Sequence, residues 1–381
     1  VDGFKQTYKQ IQSFGLSTQF MGDDFANRNK FQRWDANGQF TIDHPLKNNT
    51  QFLNENTPTA TTFGTVAAGS SKWFGGVLAP NNFIYGCPMN ATTILKINTE
   101  DDTVTTFGSV AAGSNKWLGS TLVGYIIYCT PFASTSILKI DTRTDTTTTF
   151  GNVTGSNKYV GSVLAPNGCL YHIPYDATTI MKVDTLTDSI SFFGNISGSS
   201  KYVGGVLCGD FIYCIPYASS TILVINWKQD DYFTFGNLIG GATKYQGGTL
   251  VNNRFIYALP HFNNSFCLKI DCKTNTISQT ITVLSNLYSG CVVGVDGNIY
   301  ALPYQSTSTA AVKINIRDDS VTTFGSFSNT ILKYRGNVLA PNGKIYGIPE
   351  ATTSCAYIKI GEYVETYRDP NFALNRHFNK F

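Results

Sequence analysis

A lysine directly followed by an aromatic residue recurs at Lys72-Trp73, Lys116-Trp117, Lys158-Tyr159, Lys201-Tyr202, Lys244-Tyr245 and Lys333-Tyr334, and Leu287-Tyr288 keeps the ring without the charge. Brought to one place, these ammonium groups would form a cationic ring able to hold an anion or a partner's acidic segment. The rings, Tyr288 included, would offer faces on which a sugar can stack. The competing role is structural: each lysine lays its stem over neighbouring chain and keeps its head in water.

A second pattern, aliphatic-Lys-Ile/Val, places Lys96, Lys139, Lys182, Lys269, Lys313 and Lys359 at matching points, with Val224 as the exception. An aspartate often follows six residues on, as at Asp102, Asp145, Asp188 and Asp319. This spacing predicts a cross-strand ion pair over one hairpin. Residues for catalysis are sparse. The histidines are His44, His172, His261 and His377, and none falls in a nucleophile, metal or acid-base signature. Glu350 stands where other units carry Met89, Phe132, Tyr175, Tyr217, His261 or Tyr304, and reads as a change in an exposed turn. Nine cysteines form no CxxC pair and read as small buried apolar residues. The expectation is a protein without catalytic residues, metal or cofactor.

These patterns belong to a repeat. Ile/Leu-Tyr-x-x-Pro recurs with its proline at Pro88, Pro131, Pro174, Pro216, Pro260, Pro303 and Pro349, so one unit of about 43 residues is copied seven times. The third copy, Lys158 to Gly194, holds four short strand-like runs. Its first two runs meet across Pro166-Asn167-Gly168, where Asn-Gly supplies the positive φ angles of a tight hairpin. The last two meet across an Asp- and Thr-rich turn. Every copy has a glycine three residues after its opening lysine position: Gly75, Gly119, Gly161, Gly204, Gly247, Gly290 and Gly336. A residue without Cβ at that point implies backbones crowded around an axis.

A four-stranded sheet cannot bury both its faces alone, so the copies must stack face to face. The unit length and copy number predict an all-β fold, a seven-bladed β-propeller of four-stranded antiparallel blades over residues 59–362. Outer-strand segments of the "TTFG" kind outnumber the three-strand cores by one. The expected closure has Ala60 to Phe63 completing the last blade beside Ala356 to Ile360; the alternative gives that place to Tyr363 to Tyr367.

Residues 1–58 do not repeat. They read as a short amphipathic helix over Gly3 to Phe14, a hairpin around Asn37-Gly38 and an extended linker. Residues 363–381 form an apolar tail that docks rather than waves. Phe31, Trp34, Phe40, Phe378 and Phe381 are candidate anchoring residues, covered by a propeller face or by another subunit.

Composition adds exclusions. The net charge of +3 on 381 residues predicts no nucleic-acid partner, and no apolar run is long enough to predict a membrane span. The repeats "LAPNGKIYGIP…ATT…IKI" and "ILKIDTRTDTTTTFG" resemble kelch-like and YVTN-like seven-bladed propellers, and more closely the Thr-rich propeller repeats of bacteriophages and large DNA viruses. That resemblance implies a fold and a virion location, but no family-wide active site. The expected function is a structural or interaction protein of a virion or phage appendage, binding protein partners through its terminal arms. The alternative is a glycan-binding, lectin-like propeller, with a propeller hydrolase third.

Overall fold

Short strands punctuated by Gly, Asn and Asp turns fold as successive antiparallel meanders in the computed structural model. It describes residues 57–239, 241–262, 264–283, 287–329 and 332–360, together with the strands Gln32–Trp34 and Phe40–Ile42. The first unit gives the strands Trp73–Leu78, Phe83–Pro88, Ile94–Asn98 and Val104–Phe107, in that order across one sheet. Blades one to six occupy residues 73–107, 117–150, 159–193, 202–235, 249–282 and 292–324. Blade seven combines Tyr334–Leu339, Lys344–Pro349 and Cys355–Lys359 with the N-terminal strand Thr59–Phe63. This is the seven-bladed β-propeller expected from the repeat. The ring closes as the first alternative predicts, with Thr59 opposite Lys359 and Phe63 opposite Cys355. Tyr363 to Tyr367 lies outside the described residues.

The hydrophobic core is divided among the interfaces between blades. One cluster joins Tyr171 and Ile173 of blade three to Ile212, Leu223 and Ile225 of blade four. The equivalent cluster between blades seven and one joins Tyr346 and Ile348 to Ile84, Leu95 and Ile97, so the seam is packed like every other interface. Each cluster draws its residues from two sheets, which is why one unit cannot stand alone.

The repeated glycines lie where the inner strands converge. A Cβ on Gly119 would stand 2.8 Å from the Gly161 Cα, and one on Gly336 would stand 3.0 Å from the Gly75 Cα, across the seam. Their φ values, +86° and +84°, are left-handed as well. The hairpin between the first two strands departs from expectation in detail. Only Gly168 takes a positive φ (+81°), and its N–H donates to the Ala165 carbonyl at 3.0 Å. Asn167 instead spends its side chain: its Oδ1 accepts from Cys169 N (3.1 Å), and its amide donates to the Tyr171 hydroxyl (3.0 Å) and to the Trp227 carbonyl of blade four (3.1 Å).

Outside the ring, Gln32–Trp34 and Phe40–Ile42 pair antiparallel, with Trp34 opposite Phe40, as the Asn37-Gly38 turn predicts. The expected helix over residues 3–14, the linker, the tail, and the anchoring residues Phe31, Phe378 and Phe381 lie outside the described residues.

Candidate functional site

The lysines that open the units are buried. Lys72, Lys116, Lys158, Lys201, Lys244 and Lys333 are each 6% exposed or less, so they do not form a ring of free ammonium groups at a channel mouth. Their heads do not reach water either. Each ammonium donates to loop carbonyls, in most units on the preceding blade. Lys158 Nζ reaches Phe132 O (2.9 Å), Ser134 O (2.9 Å) and Gly155 O (2.7 Å), and Lys72 Nζ reaches Thr352 O (2.9 Å) across the seam. Lys244 Nζ reaches Ala218 O at 3.1 Å, and Lys333 Nζ reaches Gln305 O at 2.6 Å. Lys116 and Lys201 bond Ala91 O and Gly198 O, both at 2.8 Å. Desolvation pushes the pKa of all six lysines down. Their chemistry is that of a staple between loops.

The aromatic partners are covered too. Trp73, Trp117, Tyr159, Tyr202, Tyr245, Tyr288 and Tyr334 are buried, each in the cluster shared with the preceding blade. Trp73 Nε1 donates to Thr93 O at 2.9 Å. These rings fill interfaces and offer no face to a sugar, so the stacking role expected of them is corrected.

The third-strand lysines form a different lock. Lys96 pairs with Asp145 (2.5 Å), Lys139 with Asp188 (2.7 Å), Lys182 with Asp230 (2.6 Å) and Lys269 with Asp319 (2.6 Å). Each aspartate lies on the next blade, so the expected pair over one hairpin is replaced by a bridge between two hairpins. The tyrosine of the Tyr-x-x-Pro motif joins it: Tyr85 OH donates to Asp145 at 2.9 Å, Tyr171 OH to Asp230 at 2.7 Å and Tyr257 OH to Asp319 at 2.8 Å. At the seam, Lys344 and Tyr346 bind Asp102. The register corrects one further expectation, because Tyr346 lies opposite Tyr357, as Tyr85 lies opposite Lys96. Tyr357, not Lys359, therefore holds the lysine position in blade seven, and Lys344 supplies the charge from the neighbouring strand.

One set of residues breaks the repeat. The residue before each ring glycine and the residue after each motif proline meet at the axis, on the face carrying the loops between second and third strands. Phe74, Leu118, Val160 and Val203 form a single cluster with Met89 and Phe132, with Tyr175 and Tyr217 packed against it partly buried. Only an axis can gather side chains from four consecutive blades. In blades five to seven the same two columns hold Gln246, Ser289 and Arg335, and His261, Tyr304 and Glu350. Ring contacts run on around the axis from Phe132 to Tyr175 (5.4 Å), Tyr217 (5.8 Å), His261 (5.9 Å) and Tyr304 (5.0 Å). Arg335 lies over Phe74 (4.7 Å) and Tyr304 (4.8 Å), and its Nε is 2.8 Å from Glu350 Oε2, close enough for an ion pair but not aligned as a hydrogen bond.

Glu350 is 1% exposed, not a residue of an exposed turn as its sequence context implied. Burial pushes its carboxyl pKa up, against the opposing pull of Arg335. His261 is held neutral by burial, with its pKa lowered to about 3, and its Nδ1 lies 3.0 Å from Tyr288 O. His172 sits elsewhere, inside blade three, with Nδ1 3.1 Å from Thr130 Oγ1 and its pKa likewise lowered to about 3 by burial. Sequence reasoning singled out Glu350 but read it as a change in an exposed turn, and it passed over Gln246 and Arg335. The column before the ring glycine, apolar in four units and polar in three, is the signal that would have found them. Among the described residues no group of three His, Cys, Asp or Glu is placed to hold a metal ion, and no helix is long and apolar enough to cross a membrane.

Fold and closure define a seven-bladed β-propeller of four-stranded antiparallel blades. No family model and no curated protein matches the chain. Solved structures do match. A catalytically inactive His-to-Ala variant of virginiamycin B lyase from Staphylococcus aureus with quinupristin superposes with a TM-score of 0.68 at 13% identity, over 80% of this chain and 99% of that one. A streptogramin B lyase gives 0.67 at 13% identity, over 79% and 97%. The WD40 repeats of RRP9 give 0.59 at 10% identity, again over 79% and 97%. At such identities the likeness is one of fold. The resemblance to phage and viral repeats finds no support in these comparisons.

Proposed function

We propose that the chain is a non-enzymatic interaction propeller, held by its flanking segments in a larger assembly and presenting one face of the ring. The observation that carries this reading is the pairing of Thr59 with Lys359. Both flanks leave the ring there, from one strand pair of blade seven, at the end away from the loops between second and third strands. The partner's place in this reading is the axial face, opposite that end of blade seven. The non-enzymatic part of the reading is supported by the repeated lysines, turn aspartates and Tyr-x-x-Pro tyrosines, most of which hold blades together. The location in a virion or phage appendage rests on the likeness of the Thr-rich repeats alone.

A mass-spectrometric inventory of purified particles from the source is expected to contain the chain in fixed stoichiometry. Replacing Phe31, Trp34, Phe40, Phe378 and Phe381 by alanine is expected to abolish incorporation while the ring keeps its melting temperature. Absence of the chain from any particle would sink the assembly role. Quinupristin, the compound held by the similar lyase, is expected to survive incubation with this protein, and its turnover would overturn the non-enzymatic reading.

A further inference from the structure

The axial cluster joins an apolar half, from blades one to four, to a polar half, from blades five to seven. We propose that it is a binding site for one neutral saccharide residue. Three observations support this.

The first is an unmet acceptor. Gln246 is 6% exposed and its Oε1 has no hydrogen-bond partner among the described residues. Four equivalent positions, Phe74, Leu118, Val160 and Val203, face the axial cluster, so Gln246 faces it too. A buried acceptor left without a donor is costly, which favours a donor from outside the chain. A sugar hydroxyl donates one hydrogen bond and accepts others.

The second is a pair of open rings. Tyr175 and Tyr217 are half-buried, 5.8 Å apart and tilted by 46°, and neither hydroxyl bonds to protein among the described residues. They give the site an apolar wall with two free hydroxyl groups, matching a ligand with a C–H face and a hydroxylated edge.

The third is the charge balance. A ring of aromatic residues would suit a cation, but the cation is already internal: Arg335 lies against Phe74 and Tyr304 and is paired with Glu350. A quaternary ammonium would meet Arg335, and a carboxylate would meet Glu350. A neutral ligand meets neither penalty. The site lies on the face opposite the end of blade seven at which Thr59 and Lys359 pair.

Saturation-transfer NMR of the full chain against free glucose, galactose, mannose, fucose and N-acetylglucosamine, followed by a glycan array, tests the proposal. At least one saccharide is expected to bind, with affinity at least tenfold lower in the Tyr175→Ala/Tyr217→Ala double variant and in Gln246→Leu. Phe192→Ala, on the exposed rim, is expected to bind unchanged. Thermal melts identify any variant that fails to fold, and Gln246→Leu stands independently of the tyrosine pair. No binding across panel and array would overturn the proposal, as would binding that survives both variants or is competed by choline or acetate. Sugar binding by a chain absent from every particle would keep this site and remove the assembly role.

Discussion

Lys313 Nζ lies 3.3 Å from Asp296 Oδ2 within one blade, whereas the locks of Lys96, Lys139, Lys182, Lys269 and Lys344 all cross to the next blade. The reason is the manner of closure. Elsewhere the aspartate comes from the turn between third and fourth strands, but blade seven takes its fourth strand from Thr59–Phe63 and has no such turn. Asp296, in the first hairpin turn of blade six, takes over, and Tyr300 OH donates to it at 2.8 Å. Replacing Asp296 by asparagine is expected to lower stability by about 1–3 kcal/mol, because Lys313 and Tyr300 lose a charged acceptor. A urea midpoint equal to the parent's would show that the substitute lock contributes nothing.

Val224 and Asn275 describe the same lock with its charge removed. Val224 is fully buried where other units have lysine, and Asn275 stands in the aspartate position, accepting from Tyr213 OH at 2.8 Å. A carboxylate facing valine would be desolvated without a cation, so the two changes belong together. Val224→Lys and Asn275→Asp are each expected to destabilise. Combined, they should recover stability, with a favourable coupling of roughly 0.5–3 kcal/mol in a double-mutant cycle. Additive losses would mean that the two sites are independent.

Much of this fold was legible because a closed ring needs equal parts, and equal parts leave a period in the sequence. The prolines, the ring glycines and the surplus outer strand gave blade number, axis and closure. Side-chain partners were harder to read, because a repeat cannot say whether a residue bonds within its own copy or to the next. Lys96 and Asp102 lie close together in sequence, yet Asp145 is the partner and Asp102 serves the seam. The opening lysines and aromatics suggested surface chemistry because they are polar or amphipathic, and nothing in one unit shows that the preceding blade covers them. The axial cluster was missed for the opposite reason. Its residues are defined by differences between copies, and Glu350 alone resembles a chance change in a turn.

The ring glycines separate two costs of a side chain at the axis. Gly75 has a φ of +68° but nothing within 4 Å of the point a Cβ would occupy, whereas at Gly119 that Cβ would meet the Gly161 backbone at 2.8 Å. Gly75→Ala is expected to cost about 1 kcal/mol of backbone strain. Gly119→Ala adds a clash with main chain that cannot rotate away, and should cost about 1–3 kcal/mol more. Thermal melts of the two variants give the comparison. Equal losses would place the inner strands farther apart at blades two and three than the structure has them.

Acid should weaken the ring through two buried imidazoles. His172 and His261 have folded pKa values of about 3, and burial is the leading cause for each. Their unfolded value is near 6.5, so between these limits the unfolded chain binds more protons. Their contribution is therefore complete above about pH 6.5 and is lost as pH falls towards 3. Glu350 acts in the opposite sense. Its raised pKa makes the folded state the better proton acceptor above the usual carboxyl range, which offsets part of the loss on acidification. Each histidine accounts for on the order of 3–5 kcal/mol across the window, at about 1.4 kcal/mol per pKa unit. His172→Asn and His261→Asn should each flatten the dependence of the urea midpoint on pH between 6.5 and 3, whatever they do to stability at pH 7. Glu350→Gln should steepen it. A parent slope retained in both histidine variants would mean that acid weakens the ring at some other site.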